Sequence, residues 1–168
     1  MNYVLGFIFC LEKRQVLLIR KNRPAFQKGY HNGIGGKVEA KEHSRAAMVR
    51  ECREECGLHT VEKEWRLFCE MDCTESTDGL SPTWHIDCFT IVVDHDRFKN
   101  LISTTDEVIT IWSLMHIHTM NKTLLGNTAW LIAMALDKLS NDAFAVPIMN
   151  YHGLSLPLNL KRWKSLTK

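Results

Sequence analysis

Apolar positions run almost unbroken through Tyr3–Cys10 and again through Gln15–Arg20, with a charged turn at Glu12–Arg14 between them. That pattern predicts a β-hairpin. The opening stretch MNYVLGFIFC is too short for a membrane span and lacks a basic leader and cleavage site, so it reads as a strand. A basic loop, Lys21–Gly29, leads into HNGIGGK at His31–Lys37, where clustered glycines permit sharp turns and close backbone approach to a ligand. From Ser44, read as the N-cap, good helix formers continue to Gly57, which sits where a left-handed C-cap belongs. Ala46, Val49 and Cys56 form the side of this helix available for packing.

Beyond it, strand-type runs at Trp65–Cys69 and Trp84–Val93 flank polar Glu75–Ser81 with its Asp78-Gly79 dipeptide, predicting a second hairpin. A helical turn is expected within Asp96–Thr105, then a strand at Glu107–Trp112. Leu124–Leu139 carries apolar residues at helical spacing and predicts a second long helix. After Ser140 no period survives, and Pro147, Gly153 and Pro157 interrupt the chain. We therefore divide the chain into a domain over 1–140 and an extension over 141–168, packed over the domain or reaching a partner. The order of elements predicts an α/β fold with helices on both faces of a mixed sheet.

A length of 168 residues is ample for one core, and 45% hydrophobic with 24% charged residues is ordinary for a soluble domain. The net charge of +2 leaves no footprint for nucleic-acid binding, and no stretch suits a membrane. None of the six cysteines forms a CxxC pair, and Cys52 and Cys56, four apart on one helix, suit a disulfide poorly. Reduced thiols and a cytoplasmic location are expected.

Chemistry concentrates on the first long helix. Glu51, Glu54 and Glu55 fall within one sector of it, where like charges repel. A solvated acidic face is the plain alternative. The glycine-rich lead-in, Glu42 and Arg50 favour a hard divalent cation, which takes oxygen ligands.

Gly36, Glu42 and the run Arg50-Glu51-Cys52-Arg53-Glu54-Glu55-Cys56-Gly57-Leu58 resemble the Nudix box, GX5EX7REUXEEXGU, with U a bulky apolar residue. Every fixed position matches; Cys52 at the first U is a small hydrophobe. The resemblance implies the Nudix α/β/α sandwich with a mixed sheet and a metal-dependent pyrophosphohydrolase. By that resemblance Mg2+, with Mn2+ as a substitute, is held by Glu51, Glu54, Glu55 and the Gly36 carbonyl, with Glu107 of Asp106-Glu107 joining the metal shell. Glu51, Glu54, Glu55 and Arg50 make up the catalytic motif, and any of the three glutamates could accept the proton of the attacking water. Arg50 is expected to pin the loop through Glu42, with Gly57 a structural member of the box.

HNGIGGK is similar to the MutT-like branch that acts on oxidised purine nucleotides, in which an asparagine at the Asn32 position contacts the base. Lys37 is then placed for phosphate, with Lys21 and Arg23 weaker candidates, and Phe26 for the base pocket. Where human-type members carry paired aspartates this chain has Gly126-Asn127; Asn127 could read a base edge or cap the helix. The expected substrate is a nucleoside di- or triphosphate, a triphosphate being cleaved to the monophosphate and pyrophosphate. Hydrolysis of ADP-ribose or a nucleotide sugar is the alternative within catalysis, and a non-catalytic ligand-binding sensor the alternative outside it. Dimerisation is common in the family, which makes a homodimer an expected assembly, although no stretch here specifies an interface.

Overall fold

A computed structural model describes residues 1–74, 83–120, 122–141 and 143–152. The first hairpin forms as its pattern dictates: β1 (Asn2–Cys10) and β2 (Gln15–Arg20) pair antiparallel around a 3-10 turn at Leu11–Lys13. After the short β3 (His31–Asn32) comes α1 (Ser44–Cys56), then β4 (Arg66–Thr74), β5 (Thr83–Val92) and α2 (His95–Lys99). The chain continues through β6 (Val108–Ser113), α3 (Thr128–Ser140) and β7 (Ile148–His152).

The strands build one mixed sheet in the order β3-β2-β1-β5-β4-β7, with β6 pairing along β2. β1 runs parallel to β5 and β7 parallel to β4; the other pairings are antiparallel. β1 is buried from Val4 to Cys10 because both faces are covered, which is why its sequence is apolar without alternation. Val4, Ile8 and Cys10 pack with Ala47, Met48 and Cys52 of α1, whereas Leu5, Phe7 and Phe9 pack with Leu131, Ile132 and Ala135 of α3. Phe7, Ile8 and Phe9 are fully buried, each contributing roughly 1.5–3 kcal/mol of hydrophobic stabilisation. The architecture is thus α/β/α.

Several boundaries differ from the sequence reading. The N-cap of α1 is His43, not Ser44: its Nδ1 accepts the Ala46 N–H at 3.3 Å, the role expected of a serine oxygen. Gly57 does close the helix in the left-handed region, φ 70°. The buried stripe of α1 is Ala47, Met48, Cys52, Glu55 and Cys56, while Ala46 and Val49 are only half-buried beside a groove they share with Arg50, Arg53 and Glu54. The stripe has turned because Glu55 faces inward against the glycine loop. α3 starts at Thr128 rather than Leu124, since Leu124 and Leu125 are drawn away to meet His31. The segment after Ser140 returns to the sheet as β7, a short strand that a periodicity search misses. Asp78-Gly79 and the end of the extension, 153–168, lie outside the described residues. No described helix is long and apolar enough to cross a membrane.

Candidate functional site

The loop between β3 and α1 is laid along β1 by backbone bonds: Gly6 and Ile34 exchange two, and Val4 and Val38 N–H donate to Gly36 and Asn2. Gly35 adopts φ 148°, and a Cβ there would strike the Val4 carbonyl. This close approach aims the Gly35 N–H at α1, where it donates to Glu55 Oε2 at 2.7 Å. A Cβ on Gly36 would run into the Glu51 carboxylate. The two glycines therefore create the room in which the helix carboxylates sit.

Arg50 ties the loop to the helix. Its Nε and Nη2 donate to the two oxygens of Glu42 at 3.0 and 2.9 Å, and Nη2 also reaches the Lys37 carbonyl at 3.0 Å. Nη1 lies between Glu51 and Glu54, at 2.8 and 3.1 Å. Hydrogen bonding from Arg50 holds the Glu42 carboxyl below its usual range, whereas burial pushes Glu51 up. Arg50 thus links Glu42 and the Lys37 carbonyl of the loop to the helix.

Glu55 is 8% exposed, and burial raises its pKa to about 7 against the opposing pull of Lys21 and the Gly35 amide. Glu107, 4% exposed, is no surface charge: Lys21 Nζ is 2.5 Å from Oε2 and the Asn22 N–H donates to Oε1 at 2.9 Å. The same ammonium lies 3.9 Å from Glu55. Lys21, which the sequence offered only as a weak phosphate candidate, is the cation that joins the two buried carboxylates. Its place at the end of β2, opposite β6 and next to β3, becomes legible only once the sheet is assembled.

Glu51, Glu54, Glu55 and Glu107 offer only oxygen donors, the Gly36 carbonyl keeps a lone pair beyond its bond from Val4, and the glycines leave space beside Glu51; the carboxylates are drawn to Arg50 and Lys21 rather than gathered around one point. These residues fit a hard divalent cation such as Mg2+ or Mn2+. Arg50 and Lys21 place positive charge between the carboxylates, as such an ion would.

A second group forms where β3 meets the start of α3. The His31 N–H donates to the Thr123 carbonyl, Leu125 donates back to His31, and the Thr128 hydroxyl donates to Asn32 Oδ1 at 3.1 Å. Asn32 Oδ1 also accepts the Gly33 N–H at 2.9 Å, so its amide nitrogen is left to donate. Asn127 occupies the N-cap position without making a cap bond, and its buried Oδ1 has no partner among the described residues. The His31 ring meets Trp112 edge-on at 4.8 Å, and burial lowers the pKa of His31. Sequence reading passed over His31 and Thr128 because neither belongs to the box. Phe26 is 39% exposed in a 3-10 turn, and Lys37, whose backbone is held by Arg50 and by a bridge to Tyr3, is itself exposed.

A model of the NUDIX domain matches residues 3–131. No curated protein matches the chain. Among solved structures, the mutator MutT protein from Bacillus halodurans superposes with a TM-score of 0.66 at 17% identity, covering 90% of this chain and 88% of that one. The NUDIX domain of Shewanella oneidensis NrtR, solved with ADP ribose, gives 0.65 at 17% identity, covering 83% and 88%. A bifunctional NMN adenylyltransferase/ADP ribose pyrophosphatase from Francisella tularensis, solved with AMP and a Mn ion, gives 0.61 at 15% identity, covering 82% of this chain and 41% of that one. At these identities the likeness carries the fold alone.

Proposed function

The chain belongs to the NUDIX family, whose hydrolases act on phosphoric anhydrides, and from that premise we propose that it is a Mg2+-dependent nucleoside triphosphate pyrophosphohydrolase of MutT type. Products would be the nucleoside monophosphate and pyrophosphate. The observation that carries this reading is the orphaned Asn127 oxygen beside the Asn32–Thr128 pair, a buried acceptor that a base N–H would satisfy while Asn32 donates to a base oxygen or ring nitrogen.

Glu51, Glu54 and Glu55, with Glu107 and the Gly36 carbonyl, would hold the metal. When bound, it would neutralise phosphate charge and lower the pKa of coordinated water. Among the glutamates we assign proton acceptance to Glu55, because a carboxylate with a pKa near 7 is matched to that task at neutral pH. Its Oε2 accepts the Gly35 N–H, and Oε1, 3.9 Å from the Lys21 ammonium, would be the oxygen that takes the proton. Lys21, released from Glu55 and Glu107 by a bound cation, and Lys37 on the loop would then turn to phosphate oxygens.

The test is product analysis with Mg2+: inorganic pyrophosphate released from a panel of nucleoside triphosphates, against AMP released from ADP-ribose. Preference for the triphosphates supports the proposal. Preference for ADP-ribose replaces it with the dinucleotide-type reading, and binding without any turnover would leave a ligand sensor.

A further inference from the structure

Across the antiparallel pair β4–β5, Glu70 stands opposite Asp87 and Asp72 opposite His85. All four lie on the α1 face of the sheet, because Phe89, two residues beyond Asp87, packs in the cluster of Met48 and Cys52. They are separate from the acidic residues of α1: Asp87 is aligned with Val4 on β1, and none of the four contacts Arg50 or Lys21 through a hydrogen bond or ion pair.

We propose that Glu70, His85 and Asp87 form a second cation site, of the class that takes Zn2+ and similar transition ions, with Asp72 orienting the imidazole. One ligand atom from each of the three lies within 4.8 Å of the others, and all three residues are half-buried on neighbouring strands rather than on a loose surface. Asp72 Oδ1 is 2.8 Å from His85 Nδ1. Nε2 lies 3.0 Å from Asp87 Oδ1, so without an ion both ring nitrogens face carboxylates; with an ion bound, the Asp72 contact would keep the proton on Nδ1 and free Nε2 to ligate beside Asp87, the arrangement by which a carboxylate orients a metal-binding histidine.

Glu70 supplies an independent sign. Its half-buried carboxylate makes no hydrogen bond or ion pair with any described residue, although it is held opposite a second carboxylate, Asp87. Two carboxylates facing each other repel unless a cation lies between them. A protonated His85 would form an ion triad with Asp72 and Asp87, yet three carboxylates against one imidazolium still leave a net charge of −2. A divalent ion bound by the neutral imidazole, in place of its proton, lowers the net charge to −1 and gives Glu70 a partner. The nitrogen in the donor set sets this site apart from the all-oxygen set on α1, since imidazole suits Zn2+, Cu2+ or Ni2+ better than Mg2+. Three protein ligands leave a further position for water or for a group brought by a ligand.

The test uses Zn2+ calorimetry and Co2+ visible absorption on protein carrying E51Q/E54Q/E55Q, which silences the carboxylates of α1. One equivalent of Zn2+ is expected, with affinity falling at least about a hundredfold in H85A and about tenfold in D72N. The Co2+ band should vanish in H85A. Should the triple variant not fold, the same comparison is made on wild-type protein saturated with Mg2+, where the two sites differ in donor chemistry. No bound Zn2+, or equal affinity with and without H85A, overturns the proposal and leaves His85 as the centre of an ion triad only.

Discussion

Arg50 and Glu42 meet in a two-pronged ion pair, Nε and Nη2 of one facing both oxygens of the other at 3.0 and 2.9 Å. The pair joins the loop that ends at α1 to the second turn of that helix, and the guanidinium spends its remaining nitrogen on Glu51 and Glu54. Glu42→Gln removes the charge and one prong. Because both side chains keep some contact with solvent, we expect a stability loss of only about 1 kcal/mol in urea unfolding. Metal-dependent turnover should fall by more than that loss accounts for, since Arg50 would no longer hold Lys37 and Glu51 in register.

Glu55 gives the metal-free protein a pH dependence of stability. Its folded pKa of about 7 is above its ordinary value, so between roughly 4.5 and 7 the folded state binds a proton the unfolded chain does not. Stability from this group is full at the acid end and is lost as pH rises towards 7. Melting temperatures of metal-free protein over this range should show the slope in wild type and lose it in Glu55→Gln. Above pH 7 the variant should be the more stable of the two without metal, and should gain less on adding Mg2+.

Lys21 is predicted to be a structural cation in the absence of metal. Lys21→Met leaves Glu107, 4% exposed, without the ammonium 2.5 Å away, at an expected cost of about 2–4 kcal/mol. Added Mg2+ should recover a larger part of that loss than it adds to wild type, because the ion takes over the same two carboxylates. Chemical unfolding with and without Mg2+ measures both effects. Equal Mg2+ stabilisation of the two proteins would place the ion elsewhere.

Asn32→Ala and Asn127→Ala are expected to raise KM for nucleoside triphosphates about tenfold each with little change in kcat, the signature of lost ground-state binding. Steady-state kinetics on both variants check this. An equal fall in kcat with KM unchanged would move these residues out of the base pocket.

The box was legible because its chemistry is local: Glu42, Arg50, Glu51, Glu54 and Glu55 all fall within the fourteen residues from Glu42 to Glu55, and their spacing is set by one helix and its leading loop. β1, β2, β4, β5 and α1 were legible for a similar reason, each carrying its own period or apolar run. What escaped the sequence depends on assembly. Lys21 meets Glu107 across 86 residues only because β2 and β6 pair, and Thr128 meets Asn32 across 96 because β3 is stitched to the start of α3. Glu55 turned inward, against its charge, because Gly35 offers it a backbone donor. β7 was hidden because five residues are too few to set a period against Pro147.

The most direct measurement is the initial rate of Mg2+-dependent pyrophosphate release from the preferred nucleoside triphosphate, in wild type and in E51Q/E54Q/E55Q with folding checked by circular dichroism. The account predicts a fall of about a thousandfold or more in the folded variant, equivalent to roughly 4 kcal/mol of lost transition-state stabilisation. A variant that folds and cleaves at the wild-type rate would contradict it.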